Sequence, residues 1–269
     1  MRVRQPWLLR AVLALVLLGL TQPPGAQAAL PRLTIGIVPQ LPAWTLARRW
    51  TPVLDAWSRA AHVRLVFRTA PTIAIFERRV AAGRYSLVYL NPGDYVRYRN
   101  RYRAFGREAG WLRGILVARK EGHVRTLADL SGQTLAFPAR NALAASVQPR
   151  QMLASRHIPF DVRYVGSHAS VYLGVIDGLF PAGGGVQQTL ALAPMSVRGQ
   201  LKVLWRGPRT LPHPFAARRS LPPRLVRRLT AALVGLTASA GPALRRLGFT
   251  GFVAASDREY YRCHSGPQP

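Results

Sequence analysis

YSLVYLNPGDYVRY, residues 85–98, runs an apolar stretch into Asn91-Pro92-Gly93 and then resumes with Tyr95 and Tyr98 at helical spacing. Proline and glycine end a strand, and the spacing beyond them predicts a helix, so the stretch reads as half of a βαβ unit. In open α/β sheets the loop beyond a strand's carboxyl end is where ligands sit, which makes 91–95 a candidate ligand loop.

The same alternation extends outward. LTIGIVPQ, 33–40, is a β-branched run stopped at Pro39, and Leu46, Trp50, Val53, Leu54 and Trp57 follow it at helical intervals. VRLVFRT, 63–69, predicts a second strand, and TIAIFERRVAAG, 72–83, a helix ending on Gly83. After GILVARK, 114–120, the order begins again, with TLADLSG at 126–132 and QTLAFP at 133–138, then a helix through Met152. VRYVG at 162–166 is the next strand, Ser167 caps a helix to about Ile176, and LKVLWRG at 201–207 is a strand leading out. Two successive blocks predict an α/β fold of two lobes, each a mixed sheet flanked by helices. The amphipathic stretch 219–236 is expected to pack back on the first lobe. That assigns 30–117 plus 207–262 to lobe 1 and 118–206 to lobe 2, with hinge crossovers near 117 and 206.

Residues 1–28 have the pattern of an export signal. Arg2, Arg4 and Arg10 precede the apolar run 11–20, which is too short to cross a bilayer, and Ala26-Gln27-Ala28 fits cleavage after Ala28. The processed chain is expected to be soluble, periplasmic and monomeric, with a disordered tail at 263–269. Cys263, the single cysteine, cannot form an internal disulfide.

The formal net charge is +28, and all but Lys120 and Lys202 of the 38 basic residues are arginine. Such a field attracts anions. The arginines are scattered along the chain without interleaved exposed aromatics, which argues against a nucleic-acid partner. Neither G-x-S-x-G nor H-E-x-x-H occurs, and Gly183-Gly184-Gly185 lacks the spacing of a phosphate-binding fingerprint. No enzyme activity, metal or cofactor is therefore expected.

GIVPQLPAW (36–44), GRYSLVYLNPGDYV (83–96), LADLSGQTLAFP (127–138), YVGSHASVYLGVIDG (164–178) and LGFTGFVAASDREYY (247–261) follow one another in the order found in a known family. Over roughly 33–261 the chain resembles the PhnD-like periplasmic solute-binding proteins of phosphate, phosphite and phosphonate ABC transporters. The resemblance implies a two-lobed periplasmic binding protein that closes about a hinge on a small anionic solute and delivers it to a permease. It also implies site residues. Asn91-Pro92 stands where the family has Gly-Pro, Tyr95 matches the ligand-facing tyrosine, and Ser167-His168 matches a Gly-Ser-His turn at a helix head. Thr72 takes the approximate place of another ligand-contacting tyrosine. Where phosphonate binders carry Ser-Thr-Ser-Gly, this chain has Ala142, Leu143, Ala144 and Ala145, leaving Ser146 as the hydroxyl donor. Losing several charge-assisted hydrogen bonds argues against a tight phosphonate site. Pro181 replaces the acidic residue that would hold an amino group.

Gln40, Trp44 and His213 lie on loops able to face the cleft. The expected mechanism has the ligand bound first at 91–95, gaining Ser146, Ser167 and His168 on closure. Two alternatives remain open from the sequence: a bilobal sensory domain serving a membrane histidine kinase, and a basic exported protein that binds nucleic acid or acidic lipid.

Overall fold

The computed structural model describes residues 29–262. The expected export signal, the tail and Cys263 lie outside the described residues. From Arg32 onward the described chain forms one unit carrying two mixed sheets.

The first sheet follows from the alternation read in the sequence. β1 (Arg32–Ile37) pairs in parallel with β2 (Arg64–Arg68) and β3 (Leu87–Tyr89). α1 (Ala43–Ala61) connects the first two, and α2 (Ile73–Ala81) leads to the third. α1 buries Leu46, Trp50, Val53, Leu54 and Trp57, the stripe expected from their spacing. α2 is capped by Thr72, whose hydroxyl oxygen accepts from the Ile75 amide. α3 (Pro92–Tyr98) begins after Asn91 and is followed by β4 (Tyr102–Glu108).

The chain then crosses at 109–111 into the second sheet, ordered β7-β6-β8-β5-β9. Its strands are β5 (Leu112–Arg119), β6 (Gln133–Phe137), β7 (Phe160–Tyr164), β8 (Ala182–Val186) and β9 (Leu201–Thr210). A short π-helix (Leu143–Val147) runs into α4 (Gln148–Ser155); α5 (His168–Ile176), α6 (Gln187–Ala191) and α7 (Met195–Arg198) complete this half.

The crossovers differ from those expected near 117 and 206. β5 pairs with β8 and β9 along its length from Leu112, and β9 runs past Pro208 to Thr210. The strand expected at 201–207 thus extends through Pro208, because β9 is the sheet's edge strand and its register with β5 shifts there. The Gly183-Gly184-Gly185 run is itself the middle of β8. A side chain at Gly184 would overlap the carbonyl oxygen of Ala145, and one at Gly114 that of Ala144. These glycines let the π-helix backbone lie directly on the sheet.

After 211–213 the chain returns. β10 (Pro214–Arg218) inserts between β3 and β4, α8 (Pro223–Ser239) covers α1, α9 (Gly241–Arg246) follows, and β11 (Phe252–Ala254) adds to β4 before α10 (Asp257–Arg262). Trp57 Nε1 donates to the Leu229 carbonyl at 3.0 Å, which ties α8 to α1 as the amphipathic pattern predicted. No helix among the described residues is long and apolar enough to cross a membrane.

Candidate ligand-binding site

The two lobes meet along a seam of polar contacts. The Ile73 amide donates to the Gly166 carbonyl at 3.0 Å, and the Leu143 amide donates to Asn91 Oδ1 at 3.3 Å. Gln188 Nε2 donates to Glu108 Oε2 at 3.3 Å, and Arg49 Nη2 donates to the Leu192 carbonyl at 2.9 Å. Ala142, Ala144 and Ala145 join the hydrophobic core of the first lobe. Residues that stand in place of hydroxyl donors thus act as packing surface.

Between the lobes lies a cavity of about 30 Å³, room for one or two water molecules. Gln40, Arg49, Tyr89 and His213 line it from the first lobe and its crossover, Gln188 and Thr189 from the second. His213 is buried, stacks on Tyr89 with ring centroids 5.1 Å apart, and shares a hydrogen bond with Gln40 Nε2 at 3.2 Å. Its Nδ1 is buried without a protein partner. Burial, with nearby His168 adding to it, lowers its pKa to about 3. His168 contacts Thr189 Oγ1 through Nδ1 at 3.1 Å, and Thr189 in turn shares a 2.7 Å hydrogen bond with Tyr172. Burial lowers His168 to about 4. Both rings are neutral at pH 7, so each offers one N–H donor rather than a positive charge.

Glu108 is the buried acid of the seam. Burial raises it to about 8, against the opposing hydrogen bonds from Gln188 and Tyr89 and the field of Arg107. It holds its proton at pH 7. Tyr89 Oη donates to Glu108 Oε1 at 3.4 Å, and burial pushes this phenol well above its usual range. Arg49 is the one guanidinium lining the cavity.

Of the seven residues expected to bind ligand, Gln40 lines the cavity and His168 reaches its wall through Thr189. The others are placed differently. Tyr95 is turned away from the seam: it is fully buried edge-on against Tyr260, donates to Asp257 Oδ1, and accepts from the Ala104 amide at 3.0 Å. Its ring packs toward α10 and β4 because the aromatic strip of α3 belongs to the first-lobe core. Asn91 caps α3 through the Gly93 amide at 2.8 Å and clasps the second lobe through Leu143.

Ser167 is the N-cap of α5, accepting from the Ser170 amide at 3.0 Å, and Thr72 is the N-cap of α2. Ser146 is fully buried with its hydroxyl unpartnered, and it is not among the cavity's lining residues. Trp44 is 66% exposed and carries the Arg48 guanidinium 5.2 Å over its ring, away from the cavity. Tyr89, Glu108, Gln188, Thr189 and Arg49 were not singled out in the sequence. Tyr89 had a signal, being two residues before the Asn91 turn; the others are brought together only by the tertiary fold.

The chain matches the family model for the periplasmic substrate-binding protein of phosphonate ABC transporters over residues 35–260. No curated protein matches it. Among solved structures it is similar to a binding-protein component of a phosphonate ABC transporter from Pseudomonas aeruginosa. That match has 17% identity and a TM-score of 0.78, and covers 87% of this chain and 84% of the other. A Prochlorococcus marinus PhnD protein in complex with methylphosphonate is also similar, at 17% identity and TM-score 0.77, over 86% and 95% of the two chains. A Xanthomonas citri protein bound to ATP matches at 17% identity and TM-score 0.63, over 86% and 95%. These likenesses agree with the two-lobed fold, and the matched family is one of transporter components rather than enzymes. The chain belongs to the periplasmic substrate-binding proteins of phosphonate-type ABC transporters.

Proposed function

We propose that this protein, exported and freed of residues 1–28, captures a small, singly charged oxyanion between its lobes and presents the closed form to an ABC permease. One observation carries the reading. The seam between the lobes encloses a cavity to which both contribute polar side chains, including the Arg49 guanidinium and the unpartnered Nδ1 of His213, beside an apolar wall that includes Trp50 and Phe249. A ligand held there is contacted from both sides only when the lobes are together, so it draws the population toward closure. The 30 Å³ of the present arrangement is too small for a tetrahedral oxyanion. The bound form therefore needs the lobes to part and reclose around the ligand.

The charge balance selects the class. Glu108, His168 and His213 are all neutral at pH 7, which leaves Arg49 as the single cation facing the ligand. The alanines at 142, 144 and 145 supply no hydroxyl donors. Such a wall matches a carboxylate or a phosphonate monoanion better than a phosphate dianion, whose second charge would lack a partner.

Thermal-shift measurements on residues 29–269 with phosphate, phosphite, methylphosphonate, sulfate and small carboxylates test this directly. The melting temperature rises with a monoanionic member of the panel, because binding to the native state stabilises it. Replacing Arg49 by Ala removes that rise. A panel with no shift at all, or an unchanged shift in the Arg49 variant, ends the proposal.

A further inference from the structure

On the outer face of the seam lies a groove of about 560 Å³, lined by Arg48 and Arg49 of α1, Arg245 and Arg246 of α9, and Ala191 and Leu192 of the second lobe. Four arginines line one concavity, the Arg48 guanidinium resting also 5.2 Å over the Trp44 ring, and the ion pairs among the described residues, Arg107 with Glu259 and Arg219 with Asp257, include none of them. Arg49 Nη1 is buried without a hydrogen-bond partner, while its Nη2 is spent on the Leu192 carbonyl. Partial burial and the charge of Arg48 both disfavour the charged Arg49, a repulsion that an anion between them would relieve.

We infer that this groove is a second anion site, adjoining the interlobe cavity through the shared Arg49 and Leu192 and built for a small polyanion of the condensed-phosphate class that bridges the two lobes from outside. The volume is that of a small-molecule site rather than of a flat docking face. The four like charges on two helices call for several anionic groups in one molecule, since a single tetrahedral anion would leave some of the guanidiniums unpaired. Guanidiniums fork onto phosphate oxygens in pairs, and α1 and α9 each contribute an adjacent pair. Because Leu192 and Ala191 form the opposite wall, a ligand here touches both lobes, and it does so without using Gln40, His213 or Thr189. Arg49 serves both sites, and Arg245 and Arg246, which line the groove alone, tell the two apart.

Inorganic triphosphate is the probe. Isothermal titration of residues 29–269 gives one bound triphosphate per chain, weakened by added salt. Arg245→Glu with Arg246→Glu lowers the affinity by about 100-fold, the scale of losing two charge-assisted contacts. Arg227→Glu with Arg228→Glu, an equal charge change on the exposed face of α8, leaves it within about threefold, the scale of screened long-range charge. His213→Ala, which alters only the inner cavity, also leaves it unchanged. Melting curves of the exposed double variants, close to that of the parent chain, establish that each is folded. The inference is overturned if triphosphate does not bind the parent chain. It is overturned equally if the two double variants lose affinity alike, which would mark a diffuse positive field, or if His213→Ala removes binding, which would place triphosphate in the cleft.

Discussion

The two lobes solve the same packing problem with opposite materials. In the first, Trp50, Trp57, Tyr89, Phe215, Phe249 and Phe252 interlock, with Phe215 edge-on to Trp57 at 5.5 Å and to Phe252 at 5.4 Å. In the second, the central strand β8 reads Ala-Gly-Gly-Gly-Val, and the π-helix Leu-Ala-Ala-Ser-Val lays the backbone of Ala144 and Ala145 against the sheet's glycines. Large rings fill the space between sheet and helices in one lobe; in the other the space is removed by bringing backbones together. Rings fill the core of the first lobe. Small residues give the second lobe a thin wall, through which Ala142, Ala144 and Ala145 reach the first lobe's core and close the seam.

The largest test of that contrast is Phe215→Ala. Phe215 is fully buried in β10, between the two strands of the first sheet that precede and follow α3, and it meets five other rings. Its removal costs about 3–5 kcal/mol, read as a lowered denaturant midpoint. Gly184→Ala probes the other material. The new methyl meets the Ala145 carbonyl and the Phe137 ring, and a backbone oxygen cannot turn aside as a side chain can. The expected loss is about 1–3 kcal/mol, despite the added apolar surface. If Gly184→Ala is neutral, the second lobe is not held by close backbone approach.

Between the lobes, the seam responds to pH in two directions. His168 and His213 have folded-state pKa values of about 4 and about 3, below the ordinary value near 6.5. Below about pH 6.5 the unfolded chain takes up protons that the folded chain refuses, so stability falls with acid. Glu108 is raised to about 8, so above its unfolded pKa of about 4.3 the folded chain keeps a proton the unfolded chain has lost, and stability falls as pH rises toward 8. Above about pH 7 the unfolded histidines have lost most of their protons, and the Glu108 contribution dominates the change among these three. The chain should lose on the order of 1 kcal/mol between pH 7 and 8. Glu108→Gln keeps the size and hydrogen-bonding of the neutral acid and should flatten the decline. A decline of equal slope in the variant would mean that Glu108 is not the group responsible.

The sequence made the main helices and the alternation of strand and helix legible because each is fixed by local spacing, whereas the order of strands within each sheet is set by distant pairings. The apolar stripe of α1, the stop at Asn91-Pro92-Gly93 and the amphipathic run of α8 can be read within a few turns of chain. The site was less legible, since its geometry depends on partners far apart. Tyr95 faces inward because its hydroxyl meets Asp257, 162 residues away, and helical spacing alone does not say which side of α3 is covered. Nothing local marks Glu108 as a buried acid, and it meets Tyr89 of β3 and Gln188 of α6 only in the folded chain. Ser167 and Thr72 were read for their position at helix starts; that position is equally what a capping residue needs, and capping is the role in which their oxygens are engaged.

Thr72 gives the smallest and most selective test. Its Oγ1 caps α2 and its methyl group lies against Gly166 of the second lobe, while the neighbouring Ile73 amide makes the backbone link across the seam. If Thr72 serves only as a cap, Thr72→Ala costs about 1 kcal/mol, and Thr72→Ser, which keeps the hydroxyl, restores most of it. Neither variant should then change the thermal shift given by a cleft ligand beyond the difference in starting stability. If Thr72→Ala instead removes the ligand response while Thr72→Ser retains it, the hydroxyl contacts the ligand in the reclosed form, and the helix starts of the first lobe belong to the binding surface as the family resemblance implied. The two outcomes separate a residue that shapes the lobe from one that reads the solute, a distinction its place at the seam leaves to the binding measurement.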